Sequence, residues 1–106
     1  MSGELIVHKN RTNRITLGLK YNASGESFTA QIRKEANQTS DLLGTWEVEF
    51  ATDGVDGELI LTLPQTEVDA VAVNYGYMDL KRTVGSVHLP VFAEPLQVKF
   101  QEVVTV

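Results

Sequence analysis

Few residues in this sequence have types and spacings that could do chemistry, and each has a structural alternative. Asp53-Gly54-Val55-Asp56-Gly57 sets two carboxylates three residues apart in a glycine-containing loop. Such acids can ligate calcium, but the full calcium loop of about twelve residues with its closing bidentate Glu is absent. Acid-Gly steps are also turn chemistry, and we read this one as a turn. His8 and His88 stand eighty residues apart without carboxylates or cysteines at ligand spacing, so no metal is expected. Glu47 and Glu49 alternate with Trp46, Val48 and Phe50. Acid–base work would need a cleft that separates their pKa values, and the alternation reads as a solvated strand face. Serines 2, 24, 27, 40 and 86 lack a nucleophile-elbow context. The glycines sit singly in turns and form no phosphate loop. Asn10-Arg-Thr12, Asn22-Ala-Ser24 and Asn37-Gln-Thr39 match glycosylation acceptors and are read as loop residues. Tyr21, Tyr75, Tyr77, Phe28 and Phe92 could stack bases or sugars, but core and anchoring roles are expected for them. Tyr77, Asp79 and Lys81 share one strand face and are the residues we name for a ligand. No catalytic, cofactor-binding or metal-binding residue is assigned.

These groups need a frame. The chain has 106 residues, room for one domain, and is 42% hydrophobic, enough for one core. It has no cysteine, which removes disulfides and thiolate metal sites. A net charge of -5 with scattered Lys and Arg argues against a phosphate-backbone partner. No apolar run approaches the ~18 residues of a membrane span, and the start does not read as a secretion signal. Synthesis in a cytosol is expected, with neither nucleic acid nor membrane as partner.

The central stretch is Thr45 to Pro64. Trp46, Val48 and Phe50 face one way, and so do Leu59, Leu61 and Leu63 on the next arm. The Asp-Gly steps between them fit a hairpin connection. Alternation predicts further strands over 14–21 (Ile15, Leu17, Leu19 and Tyr21 inward), 27–34 (Phe28, Ala30 and Ile32 inward), 75–82, 87–92 and 96–101. Pro90 makes 87–92 an edge strand. Thr66 and Asp69 suggest a weak capping box opening one or two helical turns over 66–72. Residues 1–12 are read as an N-terminal arm or edge strand, and residues 13–106 as the domain. About seven short strands with one helical turn predict an all-β, antiparallel sandwich.

The order of elements carries a resemblance. After Thr12 to Leu19 come Gly25-Glu-Ser-Phe-Thr-Ala-Gln-Ile-Arg-Lys34, Trp46-Glu-Val-Glu-Phe50 and Asp56-Gly-Glu-Leu-Ile-Leu-Thr-Leu-Pro64. The turn at Thr66-Glu-Val leads to Tyr75-Gly-Tyr-Met-Asp-Leu-Lys81 and a closing Val-Val-Thr105. Over about residues 12 to 105 this resembles the small Ig-like β-sandwich structural proteins of tailed bacteriophages. It is similar to the N-terminal domain of their baseplate upper proteins, whose receptor-facing C-terminal part has no counterpart in this sequence. The resemblance implies an Ig-like sandwich and a non-enzymatic virion component without cofactors, in the tail, tail tip or baseplate. Its partners would be other phage structural proteins, tail or capsid subunits, in a symmetric oligomer. Leu5, Ile6, Val7, Val103, Val104 and Val106 are the expected inter-subunit contacts, unless both termini simply add edge strands to their own sheet. Capsid decoration is the alternative within the virion. A small carbohydrate- or ligand-binding β module is the alternative of another class.

Overall fold

A computed structural model describes residues 4–37, 39–92 and 95–102. Eight strands and one short helix follow in the order β1 (Glu4–His8), β2 (Asn13–Gly18), β3 (Ser27–Arg33), β4 (Leu42–Phe50), β5 (Glu58–Leu63), α1 (Gln65–Asp69), β6 (Tyr75–Val84), β7 (Val87–Pro90) and β8 (Leu96–Gln101). All strands belong to one sheet in the order β1-β8-β6-β3-β4-β5-β2, with β7 added to β6. The fold is therefore all-β, a single mixed sheet that curls nearly into a barrel. No helix among the described residues is long and apolar enough to cross a membrane.

The curl depends on β4. Leu42 to Trp46 pair with β3, and Glu47 to Phe50 pair with β5. One strand thus serves two walls, changing partners between Trp46 and Glu47. From Gly44 to Phe50 its inward residues keep the period-two pattern across the bend, after a register shift at Leu43. Phe28 of β3 and Phe50 of β4 meet edge to face beside the core, with ring centroids 6.2 Å apart at 88°. The core joins Val7, Ala30, Ile32, Trp46, Leu59, Leu61, Leu63, Val68, Met78, Leu80, Val98 and Phe100, all buried. Fully burying an aliphatic side chain of this kind contributes about 1.5–3 kcal/mol, so the strands supply most of the driving force.

Several expectations need correction. The sheet is not wholly antiparallel: β1 runs parallel to β8, with Leu5 opposite Val98 and Val7 opposite Phe100. Eight strands form rather than about seven, because residues 4–8 join the sheet. β2 ends at Gly18, not Tyr21, because Lys20 takes a φ of 65° that no strand continues through. Tyr21 is consequently exposed rather than inward. β7 is an edge strand, as Pro90 predicted, but it stops at that proline. The helix spans Gln65–Asp69, and Pro64 holds the cap position in place of Thr66. The Gln65 N–H, one of the first-turn donors that the helix leaves unpaired, donates to Thr12 Oγ1 at 3.1 Å. Asn13, just outside the strand expected over 14–21, is the buried first residue of β2. Its Oδ1 accepts from the His8 N–H at 2.9 Å, and its Nδ2 donates to the His8 and Arg11 carbonyls.

Candidate functional site

The outer face of β3 and β6 brings polar side chains together. These strands pair antiparallel with Thr29 opposite Lys81, Gln31 opposite Asp79 and Arg33 opposite Tyr77. Their inward neighbours Ala30, Ile32, Met78 and Leu80 are buried, so strand alternation forces the polar residues outward. The face forms the floor of a concavity of about 540 Å³, walled by Glu35, Ala36 and Asn37 on one side and Pro95 on the other.

Its side chains are partly fixed. The Arg33 guanidinium donates through Nη1 to the Ser40 carbonyl at 2.9 Å and through Nη2 to Gln31 Oε1 at 3.1 Å. That second bond occupies the Gln31 oxygen and leaves its amide hydrogens for another partner. Asp79 Oδ1 accepts from the Leu80 N–H at 2.9 Å, leaving the second oxygen unengaged among the described residues. Ser40 Oγ accepts from the Glu35 N–H at 2.7 Å, which pins the wall to the strand end. Tyr77 is half-buried, whereas Asp79 and Lys81 are exposed. The structure thus places Tyr77, Asp79 and Lys81 on one face, as alternation requires, and adds Gln31, Arg33 and Glu35. The outward alternation of Thr29, Gln31 and Arg33 is visible in the sequence. What it could not supply was the pairing of β3 with β6.

A second cluster lies at the opposite end of β3. Arg82 Nη1 donates to Tyr21 Oη at 3.1 Å and approaches Glu26 Oε1 at 3.4 Å, while Tyr21 Oη donates to the same carboxylate oxygen at 3.3 Å. The guanidinium carbon also sits 5.3 Å from the Tyr21 ring centre. The Tyr21 hydroxyl is the main reason that the Arg82 pKa is raised, opposed by partial burial. This ties the 19–26 loop to β6.

Beside it the sheet stops short of closure. A groove of about 500 Å³ runs between Leu17, Gly18 and Leu19 on one side and Pro90, Val91 and Phe92 on the other, with Tyr21 and Arg82 at its end. Among the described residues β2 pairs only with β5, and its other edge takes no strand. The Leu19 N–H donates to the Gly57 carbonyl at 2.9 Å. That bond sets the ladder so that Leu17, Ile15 and Asn13 turn their polar backbone groups toward β5. Arg14, Thr16 and Gly18 turn theirs outward.

The other residues singled out in the sequence separate. Val7 is fully buried against the core, Leu5 is half-buried, and Ile6 is 42% exposed. Val103, Val104 and Val106 lie outside the described residues. His88 Nδ1 is 2.9 Å from Thr83 Oγ1 on the exposed β6–β7 hairpin, and His8 closes β1. Among the described residues no three His, Asp or Glu side chains converge as a metal site would require. Asp53 Oδ1 accepts from the Val55 N–H, and Asp56 accepts from Glu58 N–H and the Thr52 hydroxyl, so the turn itself uses both acids. Glu47 and Glu49 are exposed on the outer face of β4. Two of the Asn-x-Ser/Thr triplets are Asx turns of one design. Asn22 Oδ1 accepts from both donors of Ser24, and Asn37 Oδ1 from both donors of Thr39. No protein-family model matches the chain, and no curated protein matches it.

Proposed function

We propose that this chain is a non-enzymatic structural protein of a tailed-bacteriophage particle, a minor component of the tail, tail tip or baseplate that assembles through protein–protein contacts. The finer fold reading belongs with it: the curled sheet is an Ig-like sandwich in which β4 belongs to both layers. The observation that carries the proposal is the pair of strand edges, β1 and β2, that end the sheet order and take no further strand among the described residues. An unpaired edge is a template for another chain, and a protein that stays single covers or blunts it. Here β2 borders a groove that Leu17, Leu19, Val91 and Phe92 help to line, and β1 leaves Ile6 42% exposed. A domain repeated around a symmetry axis uses such edges to meet its neighbours. The element order that resembles baseplate upper proteins supplies the virion setting.

Immunogold electron microscopy of purified particles, with an antibody against this chain, tests the proposal. Label on the tail or its tip is expected. Label spread over the head instead makes the chain a capsid decoration protein that uses the same edges. Absence from intact particles, with expression established by blot, overturns the virion reading.

A further inference from the structure

We propose that the concavity over β3 and β6 binds a neutral saccharide. This activity goes beyond assembly and does not depend on it. Three features of the site identify the ligand class. First, its charges balance, because Arg33 and Lys81 line the same space as Asp79 and Glu35. A phosphate, a sulfate or an acidic peptide would meet two carboxylates there, and a cationic ligand would meet two cations. Second, donors and acceptors line the same concavity. The free amide hydrogens of Gln31 and the Lys81 ammonium donate, while the unengaged oxygen of Asp79 accepts. Sugar hydroxyls do both at once, so a polyol satisfies such a surface without a change of protonation. Third, Tyr77, half-buried, lines the same concavity, where its ring would offer apolar area to the C–H face of a pyranose.

The site is also held in shape before a ligand arrives. Arg33 is clamped between Gln31 and the Ser40 carbonyl, so the Gln31 amide already has its orientation. Preorganisation of this kind lowers the ordering cost of binding. At about 540 Å³ the concavity fits two or three hexose units. Because it lies open on a sheet face, affinity per site is expected to be weak, with Kd on the order of 1 mM. Copies repeated on a particle would raise the effective affinity through multivalency.

The test is a titration of the ¹⁵N-labelled chain, followed by amide shifts. The probes are neutral disaccharides and trisaccharides of glucose, galactose and N-acetylglucosamine, with inorganic phosphate as the anionic comparison. At least one saccharide is expected to give saturable shifts centred on the Gln31, Arg33, Tyr77, Asp79 and Lys81 amides. Asp79→Ala and Lys81→Met should each weaken that binding about tenfold, the loss of one charged hydrogen bond. Glu47→Ala, on the outer face of β4, should leave it unchanged. Lys81→Met keeps the aliphatic stem, so it separates lost recognition from lost packing. The proposal is overturned if no saccharide in the panel saturates these amides, or if the shifts centre elsewhere. Wild-type binding by both variants overturns it too, as does saturation of the site by phosphate in preference to saccharide.

Discussion

Gly57 is the residue at which the sequence leaves least choice. Its φ is +75°, and a Cβ there would lie 2.3 Å from the Tyr21 carbonyl oxygen. The 19–26 loop is laid against the β4–β5 connection at this point, with the Ala23 N–H donating to the Gly54 carbonyl at 2.8 Å and Ala23 fully buried. Gly57→Ala therefore combines left-handed strain with a backbone collision and should cost about 3 kcal/mol or more. Gly85 has a similar φ of +62° in the β6–β7 turn, but nothing lies within 4 Å of its added Cβ. Gly85→Ala should cost only about 1 kcal/mol. Urea midpoints of the two variants measure the difference, and equal midpoints would remove the contact from the explanation. Trp46 tests the core in the same way. It is 3% exposed, and its Nε1 has no hydrogen-bond partner among the described residues. Trp46→Ala should cost about 3–5 kcal/mol by leaving a cavity. Trp46→Phe gives up ring area but also removes an unpaired buried donor, worth about 1–3 kcal/mol. The phenylalanine variant should therefore lie within about 1 kcal/mol of wild type on the same urea curves. The sequence gives Trp46 its inward position by alternation with Glu47, but it cannot announce that the indole N–H goes unpaired.

At the scale of elements, the pleat of β1 divides one apolar run into two tasks. Val7 lies inside the core opposite Phe100, while Ile6 points outward at 42% exposure. Val7→Ala should lower folding stability by about 2 kcal/mol, the loss of two buried methyl groups. Ile6→Ser should leave the melting temperature within a degree or two of wild type and reduce incorporation into particles. Thermal melts beside an incorporation assay read both, and a fall in stability for Ile6→Ser would assign that residue to the fold instead. The strand segments themselves were legible because alternating residues leave their mark locally: Phe28-Ala30-Ile32, Met78-Leu80 and Leu59-Leu61-Leu63 all face inward as their spacing requires. What was not legible arises between residues far apart in the chain. α1 takes its N-terminal partner from Thr12, across 53 positions, so local capping signals misplace its start. Glu67 of α1 accepts from the Thr45 N–H at 3.0 Å, covering the side of β4 that β3 does not use. The candidate saccharide site has the same character. Tyr77, Asp79 and Lys81 could be placed on one face, but Arg33 and Gln31 join them only through the β3–β6 register.

For the whole molecule, the question is why the curled sheet stays open between β2 and β7. Closing it would hydrogen-bond the outward groups of Arg14, Thr16 and Gly18, but Leu17, Leu19, Val91 and Phe92 line a groove there instead. An unused ladder beside such a groove suits an extended segment of a neighbouring chain, which would add a strand to β2 and cover Leu17, Leu19, Val91 and Phe92. Parity along β2 makes this testable without touching the core. Thr16 is exposed, and its N–H points away from β5. Thr16→Pro removes one outward donor and sets a ring on the open edge, while the β2–β5 ladder keeps all its bonds. Leu17→Pro, one residue on, removes a donor that β5 uses and should destabilise the fold by about 3 kcal/mol or more. Thr16→Pro should therefore melt close to wild type yet fail to enter particles, whereas Leu17→Pro should fail at folding. If Thr16→Pro both folds and assembles normally, the β2 edge is not where neighbours meet, and the assembly proposal must rest on β1 alone. If Thr16→Pro unfolds, the ladder inferred from the Leu19–Gly57 bond is offset by one residue, and the outward groups of β2 are those of Asn13, Ile15 and Leu17 instead.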